Sequence, residues 1–396
     1  VIIIVEKIEI GRGTMVRKSK VIATLGLNTD SILEDIITSS VDAVLIDTYY
    51  GSEEENVERI KRVKELREKL NKNTAIIYDI DHIYAQSKYK LIKIDENNVD
   101  FACANDVDFI ACPFVSNLDE IKKVKDILEK NNKKDIGLIV KVDCKEAYDN
   151  IDEIISFADS IMINRDELGV EVPYQDLPNV QKEIIRKAND NTKEVILTTQ
   201  MLHSMIYNPR PTRAEVSDVA NAIIDGVDAV MLIEETAIGN YPKEALETID
   251  RIIKYVESQN SLTENDVKNS DQKMSIAHAI SISTKHIIDS LDVNNIVTYT
   301  KSGSTAKFIA KYRPKVPVLA VVPTKEKARK LALTRGITTF IEPKTLMMDE
   351  MLENAALYSK ESGLAKEGDY ILITAGQPDL GKENTPPTDF VNVRRV

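Results

Sequence analysis

Residues 194–233 have the sequence EVILTTQMLHSMIYNPRPTRAEVSDVANAIIDGVDAVMLI. The β-branched run EVILTT at its start predicts a strand, and DAVMLI at residues 228–233 predicts another. The stretch between them is amphipathic and long enough for a helix. A strand, a helix and a second strand in this order predict two parallel strands joined by a crossover helix.

The same rhythm extends back along the chain, and no sequence repeat beyond it is evident. Eight such units that close on themselves form a (β/α)8 barrel, whose chemistry lies on the loops that follow the strands. That rule selects Asp79, Lys141, residues 165–167 and Thr199 as candidate site residues. The eight predicted strands are residues 20–25, 43–47, 75–79, 109–112, 137–141, 160–164, 194–199 and 228–233.

A second, smaller α/β domain is predicted after the barrel. Residues 258–270 are polar and predict a linker. A helical pattern at residues 276–291 then precedes further strand patterns, which predicts a sheet with crossover helices. We therefore expect a barrel domain over residues 15–257 and a second domain over residues 271–396. The strands predicted for the second domain are residues 295–300, 317–322 and 370–374.

Composition and charge exclude several classes of partner. The formal net charge of -12 and the pI of about 5.1 argue against nucleic acid or an anionic membrane, because neither attracts an acidic protein. The longest apolar stretch is residues 1–5, whereas a membrane span needs roughly 20 residues. We expect a cytoplasmic protein. Cys103, Cys112 and Cys144 form no CxxC pair, and we expect buried free thiols.

Residues 198–242, TTQMLHSMIYNPRPTRAEVSDVANAIIDGVDAVMLIEETAIGNYP, resemble the seventh and eighth strand region of pyruvate kinases at nearly every position. The segments KSKVIATLG, GLIVKVD and SIMINRDELGVEVP resemble other parts of that family's barrel. In the second domain SIAHAISIS, KYRPKVPVLAV, LTRGI and GDYILITAG follow the family's order. The resemblance covers residues 18–396, except residues 81–100, and we assign no function to the first fourteen residues, which precede Met15.

The resemblance implies that the inserted lid domain is absent. In pyruvate kinases this domain lies between the third and fourth strands and closes over the nucleotide and metal. Here only 20 residues, 81–100, occupy that place, and they are too few for an independent domain. Because such a lid excludes water and completes the catalytic site, its absence implies a large loss of rate.

The resemblance also implies catalytic and metal-binding positions. Lys141 matches the family's catalytic lysine, and Thr199 matches the threonine near the reacting carbon. From the residues alone, the alternative is that Lys141 is a strand-end lysine paired with Glu167. Asp143 stands where the family has a metal-binding glutamate, and Glu167 stands where it has an aspartate. Since magnesium demands near-ideal octahedral geometry, we expect weakened magnesium binding.

Substrate binding is altered at two positions. The family's arginine, glycine and aspartate of the RGDLG segment correspond to Arg165, Asp166 and Glu167. Asp166 adds bulk and a negative charge where the family binds the substrate carboxylate. The family's phosphate-binding arginine corresponds to Leu45. Both changes imply weaker binding of phosphoenolpyruvate.

The family's monovalent-cation site is also altered. Its aspartate is kept as Asp79, but its asparagine, serine and threonine correspond to Asp47, Tyr49 and Ile80. We therefore expect no potassium site. Arg213 is kept, and in the family it lies near the subunit interface.

The second domain contains a candidate phosphate-binding loop. Hydroxyl groups, a glycine and the start of a helix near Ala306 favour binding of a phosphate group. The loop resembles the family's effector site for a sugar phosphate, although residues 375–381 lack the tryptophan and arginine common there. The loop residues are Thr300, Lys301, Ser302, Gly303, Ser304 and Thr305.

Three functions are consistent with these residues. We expect a pyruvate kinase-like subunit that is inactive or severely impaired and that assembles with an active paralogue as a homo- or hetero-oligomer. A weakly active pyruvate kinase and a freestanding sugar phosphate-binding protein are the alternatives.

Overall fold

A computed structural model describes residues 17–39, 41–80, 96–113, 115, 117–259, 276–376 and 388–396. The chain divides into two compact units, Ser19–Thr263 and Glu264–Val396, and Val1–Lys18 is grouped with the second. The predictions for residues 1–14, residues 81–95, the linker beyond residue 259 and the loop beyond Gly376 lie outside the described residues.

Eight parallel strands form a closed barrel in the first unit, so the predicted barrel is confirmed. Strand β1 pairs with β8 and closes the barrel, with Lys20 opposite Ala229 and Ala23 opposite Leu232. The strands are nearly continuous apolar runs because parallel strands are buried on both faces. They are β1 (Lys20–Leu25), β2 (Ala43–Asp47), β3 (Ala75–Asp79), β4 (Phe109–Cys112), β5 (Gly137–Val142), β6 (Ser160–Asn164), β7 (Glu194–Thr198) and β8 (Ala229–Leu232).

The helices of this unit surround the barrel, and their apolar faces pack on the strands in one continuous core. Their ends follow local rules: α10 begins with a capping box between Thr212 and Glu215 and ends at Gly226, whose φ is 105°. The helices are α1 (Leu27–Asp30), α2 (Leu33–Thr38), α3 (Glu53–Lys69), α4 (Glu96–Ala104), α5 (Leu118–Lys130), α6 (Lys145–Asp149), α7 (Ile151–Phe157), α8 (Arg165–Glu171), α9 (Leu177–Asp190), α10 (Arg213–Asp225), α11 (Glu234–Ala237) and α12 (Pro242–Ser258). Short 3-10 helices lie at Thr48–Tyr50 and His203–Ile206.

Several boundaries differ from the predicted ones by one or more residues, and two of these differences have a clear local cause. The barrel resumes at Glu96 rather than at Phe101, because α4 buries Val99, Ala102 and Cys103 on one face. Strand β7 ends one residue early, since Thr199 has a φ of 70° and leaves the extended conformation.

Four aspartates hold the N-terminal end of the barrel together. Each lies directly before an even-numbered strand and forms two hydrogen bonds with one residue of the strand before it. Its carboxylate accepts from the backbone N–H of that residue, and its own N–H donates to the carbonyl oxygen of that residue. The carboxylate bonds are Val21 to Asp42 (2.9 Å), Ile76 to Asp108 (2.9 Å), Leu138 to Asp159 (2.8 Å) and Val195 to Asp228 (3.0 Å). The sequences VDAV, VDFI, ADSI and VDAV around these aspartates form a repeat. The expectation of no repeat beyond the strand rhythm is therefore wrong.

The second unit contains a five-stranded sheet in the order β11-β10-β9-β12-β13, in which β13 alone among the described strands is antiparallel to its neighbour. This confirms a smaller α/β domain. Its strands are β9 (Val293–Tyr299), β10 (Val318–Val322), β11 (Ile337–Ile341), β12 (Tyr370–Ala375) and β13 (Phe390–Arg395). Its helices are α13 (Ile276–Ser290), α14 (Ser304–Lys311), α15 (Lys325–Lys330) and α16 (Met348–Glu361).

Two of these strands, β11 and β13, are not predicted from the sequence. Strand β13 lies at the sheet edge and is only half-buried, so its sequence FVNVRR alternates rather than forming an apolar run. Strand β11 has the sequence ITTFI, which is rich in β-branched residues, and its Phe340 is buried. This β-branched composition is the sequence signal that could have identified the strand. Within the described residues, no helix has the length and apolar character needed to cross a membrane.

Substitution by alanine should destabilise the barrel more at Asp108 than at Asp159, although both aspartates belong to the same repeat. Asp108 also binds Arg67 at 2.8 Å, and both side chains are under 10% exposed, whereas Asp159 is exposed. Asp108→Ala leaves a buried guanidinium unpaired and should destabilise the barrel by about 3–5 kcal/mol. Asp159→Ala should cost about 1 kcal/mol. Urea unfolding followed by circular dichroism measures both, and equal losses would contradict the prediction.

Candidate active site

A cavity of about 270 Å³ lies at the C-terminal ends of the barrel strands. This is the end of a (β/α)8 barrel at which active sites occur. Seven of the residues predicted for the site line it: Leu45, Asp47, Asp79, Lys141, Asp166, Glu167 and Thr199. The other two candidates at this end of the barrel, Arg165 and Asp143, do not line the cavity.

Lys141 forms a buried ion pair with Asp79. The Lys141 Nζ lies 2.6 Å from Asp79 Oδ2, and the two side chains are 14% and 10% exposed. Burial alone would lower the pKa of Lys141, but the charge and hydrogen bond of Asp79 hold it above its ordinary value. Burial raises the pKa of Asp79 to about 7, against the opposing charge of Lys141. The partner of Lys141 is therefore Asp79 rather than Glu167.

The turn after β7 shapes the opposite wall. Thr199 and Gln200 both have positive φ angles, 70° and 53°, which are unusual for residues other than glycine. Arg165 secures this turn: its backbone N–H donates to Thr199 Oγ1, and its guanidinium donates to the Thr199 carbonyl oxygen and to Asp218 Oδ2. The guanidinium of Arg165 is thus held by protein groups.

The cavity is strongly acidic. Among its described lining residues, Lys141 is the one lysine or arginine, and it is already paired. Burial raises the pKa of Asp166 against the opposing charge of Arg165. It also raises the pKa of Glu167 against the opposing charge of Lys141. The carboxylates that line the cavity are Asp47, Asp79, Asp166, Glu167, Glu234 and Glu235.

The two carboxylates predicted to bind magnesium differ in their access to the cavity. Glu167 lines the cavity, but Asp143 is 1% exposed and does not. Magnesium in phosphoryl-transfer sites is bound by one or two carboxylates that face the substrate. No group of three or more His, Cys, Asp or Glu able to hold a metal ion occurs among the described residues.

The positions that correspond to the potassium ligands differ in their exposure. Asp47 and Asp79 line the cavity, and Asp47 Oδ1 accepts a hydrogen bond from the Tyr49 N–H at 2.8 Å. The Tyr49 side chain is 83% exposed, and Ile80 is buried. Leu45 is fully buried beneath the cavity, where it contributes an apolar surface.

Several cavity residues are absent from the sequence-based candidates. Among them are Asn164, Gln200, His203 and Glu235. These four lie within a few residues of the ends of β6, β7 and β8, so position relative to the strand ends would have selected them. Glu235 accepts hydrogen bonds from the Leu202 and Ile233 N–H groups and holds two loops together.

A second cavity, of about 310 Å³, lies within the second unit. The predicted loop lines it through Thr300, Lys301, Ser302, Ser304 and Thr305. Helix α14 begins at Ser304, two residues before the predicted start. Gly303 caps it with a φ of 92°, and its N–H donates to Thr300 Oγ1. Lys344 and Glu342 line the other side.

The described residues form a closed (β/α)8 barrel with a charged cavity at its C-terminal end, followed by a separate α/β unit, which is the architecture of a two-domain barrel protein. The family model for the pyruvate kinase barrel domain matches residues 85–246, and that for the pyruvate kinase alpha/beta domain matches residues 278–393. The chain belongs to the pyruvate kinase family, as the sequence resemblance predicts.

Curated relatives agree with this assignment. The pyruvate kinase of Bacillus licheniformis is 46% identical over 285 residues, which are 71% of this chain and 48% of the relative. That of Geobacillus stearothermophilus is 43% identical over 287 residues, 72% of this chain and 49% of the relative. That of Clostridium acetobutylicum is 39% identical over 287 residues, 72% of this chain and 60% of the relative. The chain thus spans about half the length of the curated relatives it matches.

Proposed function

We propose that this chain is a pyruvate kinase-like subunit whose own phosphoryl transfer is absent or severely impaired. The observation that carries the proposal is the charge of the barrel cavity. Six carboxylates and one lysine, Lys141, line the cavity, and the ammonium group of Lys141 is already paired with Asp79. Phosphoryl transfer requires dense positive charge around an anionic substrate. The described cavity has the opposite charge.

The individual residues support this proposal. Lys141 would have to leave Asp79 to reach a phosphoryl group, and that would leave a buried carboxylate without its cation. Leu45 offers no charge, and Asp166 adds a carboxylate at the rim. Asp143 does not line the cavity, so we propose that any magnesium binding at Glu167 is weak, and we propose no potassium site.

A weakly active pyruvate kinase is the second candidate. It is favoured by the identity of 39–46% to relatives named pyruvate kinase and by the presence of Lys141 and Thr199 in one cavity. On either proposal the protein would act in the cytoplasm. It would either catalyse the phosphoryl transfer of glycolysis weakly or assemble with the enzyme that catalyses it.

The activity proposal predicts no phosphoenolpyruvate-dependent phosphorylation of ADP by the purified chain. A lactate dehydrogenase-coupled assay with magnesium and potassium present measures it. Turnover in the usual range of about 1–10³ s⁻¹ would establish the active kinase instead. Lys141→Met is the control, because any signal that survives this substitution comes from a contaminating enzyme.

We further propose that the chain assembles with itself or with an active pyruvate kinase paralogue. Arg213 is the first residue of α10 and is exposed, in the segment that resembles the family's barrel interface. Exposed Tyr207 and Val216 lie close to it in sequence and supply apolar surface for such a contact.

Assembly should be sensitive to charge at Arg213. Arg213→Glu should weaken an oligomer measured by light scattering, because a reversed charge at a contact opposes association. Lys61→Glu on α3 is the matched control, since it makes the same charge change at an exposed site away from that segment. A strictly monomeric protein at micromolar concentration that leaves a co-expressed pyruvate kinase unaffected would favour the freestanding binder.

The loop at residues 300–305 supports binding of a sugar phosphate in the second unit. Its hydroxyl groups, Lys301 and the start of α14 line one cavity. The N-terminus of a helix and nearby hydroxyl groups are favourable surroundings for a phosphate group.

Fructose bisphosphate should therefore raise the melting temperature of the wild-type chain and not that of Ser302→Asp, whose added carboxylate repels phosphate. Differential scanning fluorimetry measures both. Equal shifts in the two proteins, or none in either, would leave this loop a structural turn. Glu58→Asp on the surface of α3 controls for nonspecific changes in stability.

A further inference from the structure

The most exposed large apolar side chains of the described residues lie at one end of the barrel. Tyr174, Val170 and Tyr49 are 87%, 85% and 83% exposed, the highest values in this group, and Leu27 and Ile238 are also exposed. All five lie in the loops after β1, β2, β6 and β8, so they surround the mouth of the cavity. We refer to these five residues as the rim patch. Single exposed apolar residues are common on proteins, whereas their concentration around one opening indicates a contact surface.

The rim patch extends around the mouth and reaches the cavity. Asn28 Nδ2 donates to the Ile238 carbonyl oxygen at 2.7 Å, which joins the loops after β1 and β8. The Tyr49 ring packs edge-on against Tyr50, with 5.2 Å between the ring centroids, and Tyr50 lines the cavity. Strands β2 and β6 are four positions apart in a closed barrel of eight, so the loops that carry Tyr49 and Tyr174 lie on opposite sides. A partner that contacts both loops must cross the mouth.

The charge of these loops specifies the partner. They contain seven carboxylates and one lysine or arginine, Arg165, whose guanidinium already donates to Asp218 and to the Thr199 carbonyl oxygen. A second copy that presented the same face would bring like charges together, which opposes association. A basic partner is therefore favoured. The loops are residues 26–32, 48–52, 165–176 and 233–241, and their carboxylates are Asp30, which pairs with Arg59, and Asp166, Glu167, Glu171, Asp176, Glu234 and Glu235.

Two acceptor atoms inside the mouth call for a hydrogen-bond donor. Asn164 and Thr198 are register partners at the ends of β6 and β7, and both line the cavity. Asn164 Oδ1 and Thr198 Oγ1 are buried and have no hydrogen-bond partner within the described part of the chain, and Thr198 is 1% exposed. The Lys141 ammonium group lies elsewhere, against Asp79 at the end of β3. Because buried polar atoms are normally satisfied, the two acceptors indicate a donor that enters from the mouth.

We propose that the rim patch is the docking surface for a basic segment of another protein. The segment crosses the mouth, its apolar side chains pack on Tyr49 and Tyr174, and one arginine or lysine enters the cavity beside Asp166. Arginine has five N–H donors and lysine has three, which suits the acceptors on Asn164 and Thr198. This surface is separate from the α10 segment proposed for assembly, and the inference does not depend on whether the chain transfers a phosphoryl group.

Fluorescence anisotropy of labelled peptides with the full chain tests the proposal. The probe is an amphipathic peptide built from repeats of leucine, lysine, lysine and leucine. It should bind at least about tenfold more tightly than the same peptide with serine in place of leucine, and a peptide with glutamate in place of lysine should not bind. Added sodium chloride should raise the Kd, because salt screens charge interactions. No saturable binding of the leucine–lysine peptide, or equal binding of the serine–lysine peptide, would overturn the proposal.

Variants assign the binding to the mouth. Tyr49→Ser and Tyr174→Ser lie on opposite sides, and each should raise the peptide Kd at least about fivefold, as should Asp166→Asn. Tyr255→Ser on α12 and Glu58→Gln on α3 are the controls, since each removes an exposed aromatic ring or carboxylate outside these loops and should leave the Kd unchanged. All five positions are exposed, so the variants should fold.

Wild-type affinity in the three mouth variants would overturn the proposal. A fall in oligomer mass by light scattering in Tyr174→Ser, with an unchanged peptide Kd, would also overturn it and would assign the rim patch to a second copy of the chain.

Discussion

The four aspartates at the N-terminal end of the barrel are the constraint on which the rest of this unit depends. Each joins an odd-numbered strand to the even-numbered strand after it through both side-chain and backbone hydrogen bonds. Together they set the register of four of the eight strand pairs in a sheet that has no free edge. Because the register is fixed at one end, the strand ends at the other end meet in one place, and residues distant in sequence form a single cavity.

Much of the fold follows from local sequence. The eight barrel strands are nearly continuous apolar runs, so their positions could be predicted to within about one or two residues. Strand β13 could not, because a half-buried edge strand shows little apolar character. At the site, strand ends selected Lys141 and Asp79, but the ion pair between them required the three-dimensional arrangement. The sequence suggested Glu167 as the partner because it cannot show which neighbouring strand end is closer.

The resemblance to the family is uneven along the chain, and this affects how the site is interpreted. The barrel model begins at residue 85, after β1, β2 and β3. Lys141, Glu167 and Thr199 lie within the matched range, whereas Leu45, Asp47 and Asp79 precede it. The altered phosphate-binding position therefore depends on the resemblance of a short segment, and the acidic character of the cavity, which the structure describes directly, is the firmer basis for function.

The turn after β7 limits how this protein can diverge further. Two consecutive residues other than glycine, Thr199 and Gln200, adopt left-handed backbone angles, each at a cost of about 1–2 kcal/mol. Arg165 and the Thr199 hydroxyl offset part of this cost. In a saturation library, glycine and asparagine should be accepted at Gln200, whereas valine and isoleucine should be rare there. Mutational tolerance at this site is thus limited by backbone geometry, whether or not the cavity still carries out chemistry.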